Sequence, residues 1–425
     1  MSKTYSKKWS TIIRGSLFTL FSFFNKGLNF LLLIIIANFI SPDDYGSLNF
    51  FNTFIMLLGF IICFSGEGYL SVAYFQRKRE DLPKYITNIS IIPCLVGSAL
   101  CVINVLLHFI FPNFLSLTLY ISLLAIIITF FTLYVNILLD FYRVKESIKT
   151  YGIFSCSYAF FNFCLTILFI VCLQAGWYGR VYSMLICSFL YALVVLVIFS
   201  RLSLLSFKDL SWKIIREITK WGIPLIPHAS AIWLRQGCDR YIINYYYSTY
   251  EVGIFSFALN LVNIMNMIGM AFNSSNSVDI FKALSNKDVG EIYRLKGYTK
   301  KMHLIYIAVS FLISSVLIIA VPFLVPQYKA SLLYFLILIP YGYLQCVYYL
   351  YCNYLYYFGH NKKLMNITFF VSLFHLFISL IVSRYSLVLT SFVYVLTQAM
   401  IVVLLKRKVS SVLKQNYNNK GTWIL

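Results

Sequence analysis

Three ionisable residues stand where a lipid-facing helix would not carry them. Residues 221–247, WGIPLIPHASAIWLRQGCDRYIINYYY, are long enough to cross a bilayer, since a span needs about 20 residues. Yet Arg235, Asp239 and Arg240 fall near the middle of the stretch. Each would cost roughly 2.5–3.5 kcal/mol at the centre of a lipid-exposed helix. The stretch is therefore expected to face protein or a wet cavity inside a helix bundle, where ionisable groups are functional candidates. On a helix, Arg235 and Asp239 are four apart and share a face, and Gln236 and Arg240 share the next. One reading is a self-neutralising Arg235–Asp239 pair, which leaves Arg240 without an evident partner. The other is a binding site containing Arg235, Asp239, Arg240 and Lys26. Lys26 lies about half-way down the first apolar run, between Asn25 and Asn29. Lys26, Arg235 and Arg240 together make a cationic patch that suits an anionic headgroup such as a diphosphate, because the guanidinium fork matches phosphate oxygens. Glu67, towards the cytoplasmic end of the second span, joins Asp44 and Glu251 as candidates for coupling or gating.

Other chemistry is not indicated. The chain has no GxSxG, HExxH, Walker loop or GxGxxG, the signatures of common hydrolytic, ATP-binding and dinucleotide sites. No cofactor is expected, and any pumping must draw on a gradient, with H+ or Na+ as the coupling ion, or on the substrate's own downhill flow. The ten cysteines lie in apolar segments without CxxC spacing and read as small buried hydrophobes rather than disulfides or zinc ligands. The five histidines do not pair at metal spacing; His375 reads as an isolated helix-contact residue. Tyrosines cluster at 245–250 and 341–357. They suit the membrane interface, where amphipathic rings settle; the alternative for 341–357 is a surface of rings and hydroxyls for a sugar.

The elements that position these residues follow from composition. Of 425 residues, 60% are hydrophobic and 12% charged, with mean hydropathy +0.79. Soluble domains carry about 25% charged residues, so this is an all-α integral membrane protein. Helices are required because they satisfy their own backbone in lipid. About twelve transmembrane helices are expected, near 15–39, 46–74, 85–110, 115–139, 152–174, 180–200, 221–247, 252–275, 302–325, 330–357, 364–383 and 386–405. The net charge of +21 sits mostly in short loops, which points to topology and anionic membrane lipids rather than nucleic acid. With the N-terminus inside, 29 Lys/Arg fall in inward segments, beginning with Lys3, Lys7, Lys8 and Arg14, and only Arg180, Lys329 and Arg384 fall outside. Both termini are therefore expected in the cytoplasm. Residues 208–220 pattern as an interfacial amphipathic helix. It separates a six-helix lobe over 1–205 from a second over 221–405, with 206–220 as linker and 406–425 as a cytoplasmic tail that loses its apolar pattern and ends in NNKGTWIL.

The halves repeat. ISPDDYGSLNFFN at 40–52 and YSTYEVGIFSFALN at 247–260 both carry an acid, one residue, then glycine before an apolar span, and Gly46 and Gly253 align at an offset of 207. Six helices separate the junctions, so the two six-helix lobes run parallel, a transporter architecture. With these junctions, the GIPLIP motif at 222–227 and Asp239–Arg240, the chain resembles the Wzx-type O-antigen flippases of the polysaccharide transporter family, within the superfamily that includes the MATE exporters. The resemblance implies two MATE-like six-helix lobes arranged as a V around a cationic central cavity. It implies alternating access that moves an undecaprenyl-diphosphate-linked oligosaccharide from the cytoplasmic to the periplasmic leaflet of a bacterial inner membrane. A polymerase and chain-length proteins of the same pathway are the partners it implies.

Two other classes compete. A membrane glycosyltransferase or polymerase would use Asp43–Asp44 as external carboxylates; against it, the outward loops are short, and the pair also reads as an N-cap opening span 2. A MATE-like exporter of small cations would favour an acidic cavity, whereas the mid-span charges here are mostly basic.

Overall fold

The computed structural model describes the backbone of residues 2–64, 66–285 and 289–416. Side chains are described from Leu20 onward within these ranges, except at 22, 207, 228, 274, 289 and 291–293. Lys3, Lys7, Lys8, Arg14 and the terminal NNKGTWIL thus lie outside the described side chains. Every helix or strand assigned among the described residues is a helix: α1 (Ser2–Phe39), α2 (Pro42–Ile61), α3 (Tyr69–Gln76), α4 (Leu82–Ile110), α5 (Leu119–Val144), α6 (Ile148–Ile167), α7 (Gly176–Arg201), α8 (Trp212–Gly222), α9 (Ile226–Gln236), α10 (Cys238–Tyr246), α11 (Thr249–Ser285), α12 (Val289–Leu324), α13 (Ser331–Tyr357), α14 (Asn361–Val382) and α15 (Leu387–Asn416).

Among the described residues nine helices are long and apolar enough to span a membrane, or ten if α2 and α3, bent by 50° at their break, make one span. The other two expected spans explain the shortfall. The described apolar part of α1 is the shorter Phe23–Phe39. The span expected at 221–247 is interrupted twice. Pro224 falls in a 3-10 turn, Ile223–Leu225, where proline removes an amide from the helical ladder. At Gly237 the amide of Arg240 bonds back three residues, at 3.2 Å, rather than four; glycine is a weak helix former.

The chain forms two compact units, residues 1–233 and 234–425. In the first, α5 is the central helix and packs against α2, α4, α6 and α7, while α1 packs on α6. The amphipathic helix expected at 208–220 is α8, laid on α3 and α4 with Ile218 buried. A Cβ at Gly66 would come within 3.0 Å of Ile218, so Gly66 permits the close approach of α8. The Glu217 carboxylate accepts from Tyr69 and Arg77.

In the second unit α11, α13 and α15 form the centre, with α12 and α14 alongside. Lipid removes the hydrophobic drive between helices, so close approach and polar contacts must hold them. Glycines allow that approach: a Cβ at Gly269 would sit 2.6 Å from Cys346 Sγ, and one at Gly342 2.6 Å from Met265 Sδ. Tyr349 donates to Asn266 at 2.8 Å and Asn353 to Asn273 at 2.7 Å across the same seam. Helices α11 and α12 have 37 and 36 residues, about 55 Å at 1.5 Å per residue. Their extensions share a core, in which Ile280, Leu284 and Leu295 are buried.

Two expectations change here. Arg180 is not a loop residue: it lies in the first turns of α7, and its Nη1 donates to Asn162 and, at 2.6 Å, to Thr166 on α6. And α15 does not lose its pattern at Lys406. Val409, Val412 and Leu413 keep helical spacing and are buried, which carries the helix on to Asn416.

Candidate functional site

Asp239, in the first turn of α10, points into the second unit, where α11 and α14 pack against its helix. It is 0% exposed, as is His375 of α14. His375 Nε2 lies 2.9 Å from Asp239 Oδ2, and Nδ1 lies 2.9 Å from Thr397 Oγ1 on α15. Tyr394, one turn before Thr397, sets its ring edge-on to the imidazole at 4.8 Å. His375 is therefore a bridge between α10 and α15 rather than an isolated contact. No sequence spacing could have found it, because 136 residues separate it from Asp239.

Arg235, at the end of α9, does not pair with Asp239. Its Nη1 donates to Gln398 Oε1 at 2.6 Å. The residue is 7% exposed, and its Nε meets no acceptor among the described residues. The two residues share a predicted face only on an unbroken helix, and the break at Gly237 turns them to different partners. Gln345 of α13 adds a long 3.4 Å contact to Gln398 and donates to Tyr341 at 2.9 Å. Gln236 donates to the same Tyr341 hydroxyl at 2.8 Å. Arg240 donates Nε to Ser256 of α11 at 3.1 Å. The arrangement places two guanidinium groups and one carboxylate among amides and hydroxyls, a set suited to holding an anion.

The tyrosines of 341–357 divide between the core and the surface, with Tyr356 exposed. Tyr341, Tyr351 and Tyr354 are buried, and the hydroxyls of Tyr343 and Tyr351 meet His303. Tyr245, Tyr246, Tyr247 and Tyr250, by contrast, are exposed.

Of the remaining candidates, Lys26, Glu67 and Asp44 belong to the first unit and Glu251 to the second. Lys26, half-buried on α1, adjoins Asn25, which donates to Ser155 of α6 at 2.6 Å. Glu67 lies in the 3-10 turn Gly66–Gly68 between α2 and α3. Asp44 and Glu251 do share a role. Ser41 Oγ accepts from the Asp44 amide at 3.2 Å, and Ser248 Oγ from the Glu251 amide at 3.3 Å. The N-cap is thus Ser41, not Asp43–Asp44, and each acid occupies the third helical position, where a carboxylate complements the helix dipole. Ser41 and Ser248 are also 207 apart, so the repeat contains a serine that the acid-x-glycine comparison missed.

A bundle of membrane-length helices with a buried cation and buried amides inside one unit is the build of a multi-pass, transporter-type membrane protein. The comparisons agree. The family model described as polysaccharide biosynthesis protein matches residues 14–278, and the chain belongs to that family. It is 24% identical over 361 residues to Lsg locus putative protein 1 of Haemophilus influenzae, covering 80% of this chain and 82% of that one. Its fold is that of the MATE transporters. An inward-facing multidrug-resistance MATE family transporter of the MOP superfamily matches with TM-score 0.68 at 14% identity, covering 92% of this chain and 96% of that one. A MOP superfamily transporter from Pyrococcus furiosus, described by the reversed polarity of its binding pocket, matches with TM-score 0.61 at 12% identity over 96% of both chains.

Proposed function

We propose that the protein flips undecaprenyl-diphosphate-linked polysaccharide repeat units from the cytoplasmic to the periplasmic leaflet of a bacterial inner membrane, by alternating access and with both termini in the cytoplasm. The observation that carries this reading is Arg235: a buried cation held by the neutral amide of Gln398, with a buried Nε that meets no acceptor among the described residues. Arg235 and Arg240 supply charge for the diphosphate. Asp239 acts through His375, fixing α10 so that Arg240 keeps its place beside Ser256. Family membership supports a glycan cargo, and the MATE-like fold supports movement over group transfer. H+ or Na+ coupling would engage Glu67, Asp44 or Glu251, and a polymerase and chain-length proteins would take over the product.

The test is glycan export in a deletion strain complemented with Arg235→Ala or Arg240→Ala. Export should fall at least about tenfold, the cost of one charged hydrogen bond of roughly 1.5–3 kcal/mol, with protein levels near wild type. Lysine should restore part of it, keeping charge without the fork. Loss of abundance alone would make Arg235 a structural residue. A periplasmic pool of unpolymerised units in the deletion strain would point instead to a polymerase.

A further inference from the structure

Among the described residues, the cytoplasmic end of α15 carries charge that no ion pair neutralises. No aspartate or glutamate follows Glu291 anywhere in the sequence. Lys406, Arg407, Ser410, Ser411 and Lys414 line an open groove of about 610 Å³ on this end of the helix. Among the described residues, none of the three cations makes an ion pair. On the neighbouring flank the proximity of Lys363 from α14 lowers the Lys408 ammonium from its ordinary range. Burial, with the charges of Lys363 and Lys408, holds the adjacent His360 imidazole below its ordinary range. Like charges brought close repel, so the cluster favours an anion as its partner.

The same helix says which anion. Leu389, Phe392, Leu396 and Val403 are exposed, and at helical spacing they form one apolar stripe that leads into the groove. Val403 itself lines the groove's upper end. The helix has 30 residues, about 45 Å, against roughly 30 Å of hydrocarbon. Its apolar stripe therefore lies at acyl-chain depth and its cations at the headgroup level. Apolar above and cationic below, with hydroxyls among the cations, is the complement of a lipid rather than of a soluble ion.

We infer that this groove binds the phosphate of an anionic phospholipid whose acyl chains lie along Leu389–Val403. The inference does not depend on the flippase reading.

Native mass spectrometry of the full chain in detergent tests it, with phosphatidylglycerol and phosphatidylcholine of matched chains as probes. Wild type should hold phosphatidylglycerol in clear preference. The triple variant Lys406→Gln/Arg407→Gln/Lys414→Gln should lose about 100-fold, from roughly one decade or slightly less per charge removed near a phosphate surface. The charge-keeping variant Lys406→Arg/Arg407→Lys/Lys414→Arg should bind within a few-fold of wild type, and Lys329→Gln should not differ from it. Equal binding of the two lipids, or undiminished binding by the Gln triple, overturns the inference. So does displacement of phosphatidylglycerol by millimolar inorganic phosphate, which would make the groove a free-anion site. Undecaprenyl diphosphate outcompeting phosphatidylglycerol in wild type but not in the Gln triple overturns it in favour of a station for the transported lipid.

Discussion

A double-mutant cycle on Asp239 and His375 separates an ion pair from an ordinary interhelical contact. Both side chains are 0% exposed, their nearest atoms are 2.9 Å apart, and the second carboxylate oxygen of Asp239 makes no hydrogen bond among the described residues. Removing the imidazole leaves that carboxylate without its partner in a medium that cannot solvate it. Removing the carboxylate strands the imidazole Nε2. Breaking a buried pair from one side costs about 3–5 kcal/mol. Removing both sides leaves a cavity but no orphaned charge, so Asp239→Ala/His375→Ala should cost about as much as either single change. The coupling energy is then about 3 kcal/mol, at the top of the range for residues in contact. Reversible unfolding in mixed detergent–SDS micelles reads each corner of the cycle. Interhelical hydrogen bonds in membrane proteins average only about 0.6 kcal/mol by this method. A coupling near that value, or additive single mutants, would refute the ion-pair argument and reduce the contact to routine packing. His375→Gln, which can still meet both Asp239 and Thr397 but carries no charge, should recover only part of the loss.

Gly342→Val should destabilise the α11–α13 seam by about 1–3 kcal/mol or more through overpacking, because even a Cβ there meets Met265 at 2.6 Å and Val262 at 2.9 Å; unchanged unfolding would show that the seam relaxes. Arg180→Gln, placed inside the first unit against Asn162 and Thr166, should lower stability by roughly 1.5–3 kcal/mol, whereas Lys329→Gln on an exposed turn should stay within about 0.5 kcal/mol. Reporter fusions active only outside the cytoplasm should work at Asp43, Asn113 and Gln327 and fail at Lys208, from the bias of inward positive charge; activity at Lys208 would invert the map.

Helix number and limits were largely legible because a bilayer imposes one length and one backbone solution on every span. Helices α4, α5, α7, α13 and α14 lie within about five residues of their expected limits for that reason, whereas α6 ends at Ile167, short of the expected 174. The breaks were harder to read. Gly237 and Pro224 are visible in the sequence, but so is Pro93, which stays inside α4. Whether a glycine or proline interrupts a helix depends on tertiary contacts that satisfy or strand the freed backbone groups. The site was legible as a set of residue types and not as a set of partners. Arg235, Asp239 and Arg240 announced themselves by their cost in lipid, while Gln398, Ser256 and Thr397 are unremarkable polar residues on apolar helices until the fold brings them beside a charge. His375 was misjudged for the same reason, and Arg180 because a charge at a span end looks identical whether it points to water or to the bundle.

The length of α11 and α12 has a practical consequence. Because their extensions share a buried core with the rest of the unit, through Leu284, Leu295 and Met302, they act as a stiff mast outside the bilayer. A spin label or fluorophore at exposed Lys282 or Lys296 would ride on that mast far from lipid and from the polar cluster around Asp239. Any tilt of the unit during turnover would reach the label as an enlarged displacement, so motion too small to resolve at the site could be followed in real time from the water phase.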